Sequence, residues 1–92
     1  FLTPQEKQQA GEIRKIILRC EDKIKLGNYD YQAIKLYAVK ELSAQGFKVD
    51  YFEICNRETL EDADGSDKNL LIACAAWMGQ PRLLDNLELT VN

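Results

Sequence analysis

The side chains with chemistry in them are three cysteines, an acidic run and one Arg-Leu-Leu-Asp-Asn segment. Cys20, Cys55 and Cys74 stand far apart, form no Cys-x-x-Cys pair and lie in apolar contexts. With no histidine anywhere, nothing completes a zinc site, and no Ser-His or Cys-His nucleophile pair can form. The thiols therefore read as reduced, packed cysteines of a cytoplasmic chain, with a redox or metal role as the alternative. The absence of an Asn-x-Ser/Thr acceptor agrees with that compartment.

Asp62-Ala63-Asp64-Gly65-Ser66-Asp67 has the composition of a calcium loop. That chemistry needs glycine at the sixth position and a bidentate glutamate at the twelfth. Counting from Asp62, glycine falls fourth and the twelfth residue is Ala73, so a solvated acidic turn is the better reading. Residues 50–67 hold seven acids and one base, whereas the first helical segment holds six bases and four acids. The asymmetry reads as solvated faces, or alternatively as an attraction for a basic partner. A net charge of −3 and the lack of a basic stripe with exposed aromatics argue against nucleic acid. The five glycines are scattered singly, so no phosphate-cradling loop is present.

Gly79-Gln80-Pro81-Arg82-Leu83-Leu84-Asp85-Asn86 places an arginine, an acid and an amide among leucines just after a turn. One reading is structural: Arg82 pairs with Asp85 while Asn86 ties down local backbone. The other turns Arg82 toward an anionic ligand or a neighbouring domain. Trp77, Met78, Tyr29, Tyr31, Tyr37 and Tyr51 read as core and boundary packing rather than a ligand platform.

The elements that would position these residues are legible. Thr3 can cap a helix with Pro4 in its first turn and Glu6 closing a capping box. Ala10, Ile13, Ile17, Cys20 and Ile24 form its apolar stripe, and Gly27 supplies the stop. Gly11 within it costs about 1 kcal/mol against alanine, with a close packing contact as the only reason in view. Asp30 caps a second helix running to Gln45, with Tyr31, Ile34, Ala38 and Leu42 inward. Gly46 ends it, and Phe47 folds back onto Leu42. Val49 to Cys55 reads as a strand apolar on both faces. Residues 57–68 form a polar loop anchored by Leu60. Leu70 to Met78 has the continuous apolar character of an interior strand, and Gly79-Gln80-Pro81 turns the chain into a third strand from Arg82 to Thr90. The short link between helices implies an antiparallel hairpin. Ninety-two residues give one small domain, an α+β fold in which a two-helix hairpin packs on one face of a small three-stranded antiparallel sheet. No apolar run has the ~20 residues of a membrane span.

Taken in order, several of these segments resemble the pantothenate synthetase (pantoate–β-alanine ligase) family. They are Phe1-Leu2-Thr3-Pro4-Gln5-Glu6-Lys7 with Ala10, Gly46-Phe47, Asp50-Tyr51-Phe52-Glu53-Ile54, and Thr59-Leu60-Glu61. Ala75-Ala76-Trp77-Met78-Gly79 running into Arg82-Leu83-Leu84-Asp85-Asn86 is the strongest match. Pro81 departs from the family's threonine or alanine, which touches only the turn geometry. The resemblance covers nearly the whole chain.

It implies that residues 1–92 are the C-terminal lid domain of a longer ligase whose Rossmann-like N-terminal catalytic domain lies upstream. The start at Phe1 rather than methionine fits a piece of a longer polypeptide. The full enzyme would join pantoate to β-alanine with ATP and magnesium through a pantoyl-adenylate, releasing pyrophosphate and AMP. The family's catalytic histidines, substrate glutamines and Met-Ser-Ser-Arg loop have no counterpart here. The resemblance thus implies no catalytic, cofactor-binding or metal-binding residue in this piece, with Arg82, Asp85 and Asn86 as an interdomain or structural motif. The expected partners are the catalytic domain and, for the full enzyme, a second copy in a homodimer, with no nucleic acid and no membrane. The competing reading is a free-standing interaction module whose acidic loop takes a basic partner.

Overall fold

The computed structural model describes residues 2–91; Phe1, which opens the first segment of the resemblance, lies outside them. Element order is α1 (Pro4–Lys25), α2 (Tyr31–Ala44), β1 (Lys48–Asn56), β2 (Asn69–Trp77) and β3 (Arg82–Thr90). The three strands form one antiparallel sheet in the order β1-β2-β3. The α+β architecture expected from the sequence is the one observed.

Helix α1 begins with a complete capping box. The Glu6 amide donates to Thr3 Oγ1 at 3.1 Å, and the Thr3 amide donates to the Glu6 carboxylate at 3.0 Å. The helix buries Ile13, Ile16, Ile17, Cys20 and Ile24. Ala10 is only half-buried, and Ile16 joins the buried stripe in its stead. Asp30 caps α2 by accepting from the Ala33 amide at 3.1 Å, and α2 buries Tyr31, Ile34, Ala38 and Leu42, as its spacing requires.

Both helices end in the same glycine-dependent way. The Gly27 amide donates to the Ile24 carbonyl and Asn28 to Lys23, with Gly27 at φ +99°. Gly46 donates to Ser43 and Phe47 to Leu42, with Gly46 at φ +95°. This paired closure satisfies the orphan carbonyls of the last turn. At the second site Phe47 is sealed into the core with Leu42.

Pleat alternation assigns the faces. Leu70, Ile72, Cys74 and Ala76 of β2 point to the helices with Phe52 and Ile54 of β1 and Leu83 and Leu89 of β3, all buried. Between Val49 and Tyr51 the β1 register skips a residue, leaving Asp50 as a bulge. The extra residue turns Val49 to the helix side, where it packs on the core. The opposite face, with Tyr51 and Glu53 of β1, Leu71, Ala73, Ala75 and Trp77 of β2, and Arg82, Leu84, Asn86 and Glu88 of β3, carries no helix.

Two expectations are corrected here. Leu60 does not anchor the 57–68 loop: it is 65% exposed and adopts φ +62°. The loop is held by polar groups, because the Asn56 amide oxygen accepts from the Glu58 and Thr59 amides and its NH2 donates to Asp67 at 2.8 Å. A Cys55–Asp62 bridge and the Ala63 amide on the Ile54 carbonyl pair the loop with the outer edge of β1. Nor does Gly11 mark a close approach, since a Cβ there meets nothing within 4 Å.

Candidate functional site

Arg82, Asp85 and Asn86 share a strand but not a face. Residues three apart on β3 point in opposite directions, so the expected Arg82–Asp85 pair does not form. Arg82 lies on the uncovered side of the sheet, where its Nε and Nη2 donate to one oxygen of Asp50 at 3.1 and 2.8 Å. Its guanidinium also stands over the Trp77 and Tyr51 rings, 5.9 and 6.0 Å from their centroids. Asp85 turns inward beneath the helices and meets Arg14 of α1 at 3.2 Å. Asn86 lies on the uncovered face, and its backbone amide donates to the Asp85 carboxylate at 2.8 Å. The motif thus has two jobs. Asp85 ties β3 to α1, and Arg82 ties β3 to β1 across the intervening strand.

Neither Asp50 nor Arg14 stands out in the sequence, because each partner is far away along the chain. The signal that would have found them is parity: a two-residue period separates Arg82 from Asp85 before any coordinates are known. A matching strap at the other end of the sheet joins Arg57, just past β1, to Glu88 of β3 at 3.3 Å.

The acidic loop satisfies itself. Asp64 accepts from the Ser66 amide and hydroxyl, which hold its carboxyl below the usual carboxylate range. Asp67 accepts from the Asp64 amide at 2.8 Å and from Asn56. Carboxylates engaged this way are Asx-turn acceptors, and among the described residues no three His, Cys, Asp or Glu side chains converge on a metal position. The loop therefore does not fit magnesium or a magnesium-bound nucleotide. Beside it, Tyr29, Tyr31, Lys35, Glu53, Asp62 and Asp64 line a cleft of about 260 Å³. Lys35 spends its charge on Glu53 at 3.4 Å. The Tyr31 hydroxyl is buried without a hydrogen-bond partner, and burial pushes its pKa up.

The three cysteines are free and buried. Burial pushes the Cys20 thiol up to about 11 and Cys74 to about 12, and raises Cys55 as well. Cys20 and Cys74, held protonated in the apolar core, are packing groups rather than nucleophiles, whereas Cys55 lies on the sheet face opposite the helices and its thiol donates to the Leu71 carbonyl at 3.6 Å.

Among the described residues the geometry offers a sheet braced by ion pairs, and comparison with known proteins carries the assignment. A sequence model described as pantoate-beta-alanine ligase matches residues 1–88. The chain belongs to the pantoate-beta-alanine ligase family. It is 36% identical over 92 residues to the pantothenate synthetase of Alkalilimnicola ehrlichii, covering 100% of this chain and 32% of that protein. The pantoate--beta-alanine ligase of Schizosaccharomyces pombe gives the same identity and coverage. The pantothenate synthetase of Thermotoga petrophila is 38% identical over 87 residues, 94% of this chain and 31% of that protein. The chain thus spans about a third of the length of the curated ligases it matches. No helix among its described residues is long and apolar enough to cross a membrane.

Proposed function

We propose that these residues are the C-terminal lid of a cytoplasmic ligase that condenses pantoate with β-alanine. The reaction consumes ATP in the presence of magnesium, passes through a pantoyl-adenylate, and releases pyrophosphate and AMP. The observation that carries the reading is the match along the full 92 residues to ligases about three times as long. Arg82, Asp85 and Asn86 are engaged in bracing the sheet, which suits a domain that moves as a unit better than one that performs chemistry.

A lid answers a chemical need. An acyl-adenylate is activated toward any nucleophile, and water is the most abundant one. A domain that closes over it preserves the intermediate until the amine arrives. The capping box at Thr3–Glu6 stiffens α1 from its first residue, so rotation at the chain's entry would move the whole domain rather than bend the helix. The nucleotide, the magnesium and the reacting groups belong to the catalytic domain in this reading, and the full enzyme is a homodimer.

The test is twofold. The full-length polypeptide should form pantothenate, AMP and pyrophosphate from pantoate, β-alanine and ATP, and residues 1–92 alone should form none. Titration of residues 1–92 with ATP should give no saturable NMR shifts. Stoichiometric nucleotide binding by this piece, or a full-length polypeptide with no ligase activity, defeats the proposal.

A further inference from the structure

We infer that the cleft between the start of α2 and the acidic loop is a binding site for a guanidinium group, an inference independent of the ligase reading above. Tyr29 and Tyr31 form one wall of the cleft, and Asp62 and Asp64 of the loop line it with Glu53 of β1. With Asp30, four carboxylates share the lining with a single lysine, and that Lys35 is already paired with Glu53 at 3.4 Å. The surplus of negative charge selects a cation. The start of α2 does not favour an anion either, because the Asp30 carboxylate already accepts the Ala33 amide there.

Tyr31 is the residue that calls for a ligand. It is 7% exposed, and its hydroxyl is buried without a hydrogen-bond partner although the Asp64 and Asp67 charges act on it. A buried hydroxyl left unpaired is costly, and a donor seated between it and the loop would satisfy the phenol oxygen and a carboxylate together. Asp64 takes both Ser66 bonds on Oδ1, which leaves its second oxygen for that donor. Contact requires the exposed residues Asp64 and Gly65 to yield slightly. Size and shape then narrow the cation. The cleft holds about 260 Å³, below the roughly 300–1,000 Å³ of sites for drug-sized molecules, so it takes a group the size of a side chain. The Tyr29 and Tyr31 rings, with centroids 6.4 Å apart and planes at 58°, offer aromatic faces to a planar cation. A guanidinium stacks on such faces, carries five donors in a fork and is more weakly hydrated than an ammonium.

The test is calorimetric titration of the full-length polypeptide with arginine capped at both backbone ends. Saturable binding is expected, with capped lysine at least fivefold weaker and capped citrulline, the uncharged analogue, not binding. Methylguanidinium separates the sources: an affinity within threefold of capped arginine assigns a small free guanidinium, and a weaker one assigns a side chain carried by a peptide. Asp62→Asn and Tyr31→Phe should each weaken binding about two- to tenfold, the span of one net hydrogen bond. Tyr31→Phe should also raise the ligand-free urea midpoint, because it deletes the unpaired hydroxyl. A lower midpoint would show that the hydroxyl has a partner and overturns the inference. So do an absence of saturable binding, equal binding of capped lysine or citrulline, and variants that bind as the parent does.

Discussion

At the scale of single residues, the two charged members of the Arg82–Asp85 segment should behave differently on substitution. The Arg82–Asp50 pair is two-fifths exposed on both sides, so Arg82→Ala should cost less than about 1 kcal/mol in urea unfolding. It should also shift Trp77 emission to the red as the guanidinium leaves the ring. Asp85 is the more enclosed member of its pair, and Arg14→Met would leave its carboxylate with the Asn86 amide alone. With Arg14 itself 42% exposed, that change should cost about 1 kcal/mol, more than the loss of Arg82. An Arg82 variant more destabilised than the Arg14 variant would contradict the face assignment. Gly11 offers the opposite sign. It is exposed, in mid-helix, with open space around it, so Gly11→Ala should raise stability by about 0.8–1 kcal/mol, read as a higher urea midpoint.

Elements are secured mainly at their ends. Gly46 sits at φ +95°, where an L side chain is strained whatever room it has. Gly46→Ala should therefore cost about 1–2 kcal/mol and lower Tm, although the nearest atoms, on Met78, lie 3.8 Å away. The α1 capping box and the buried thiols respond to pH in opposite directions. Hydrogen bonds from Thr3 hold the Glu6 carboxyl below its ordinary 4.5, so the unfolded chain takes up that proton first. The capping box contributes fully above pH 4.5 and is lost as pH falls through the lower folded value. The thiols act at the alkaline end. From about pH 9.0 the unfolded chain ionises its cysteines, while folding keeps Cys20 protonated to about 11 and Cys74 to about 12. The native state then binds more protons than the unfolded one, so stability falls as pH rises above 9. Urea midpoints at pH 8 and pH 10 should differ in that direction, and Cys20→Ser with Cys74→Ala should shrink the difference.

For the whole molecule, the helix layer and the sheet enclose one apolar core, and the sheet's second face is left to the solvent or to a neighbour. That asymmetry is a property of the chain's own fold. The covered face explains how the chain folds. Titration with ATP and product formation by the full polypeptide examine separate links. Folding of the piece depends on none of them.

Much of the fold could be read from the chain because its signals are local. Capping residues, glycine stops and the two hydrophobic periods act within a few residues, and they placed both helices, all three strands and the Phe47 closure on Leu42. The ordered family segments likewise marked membership before any geometry was known. Three things escaped: the Asp50 bulge, the partners of Arg82 and Asp85, and the polar anchoring of the 57–68 loop. Each depends on which residues meet across strands, or between sheet and helix. Such meetings are set by register, and register is decided only when one face of the sheet is buried and a one-residue slip would turn every apolar side chain the wrong way.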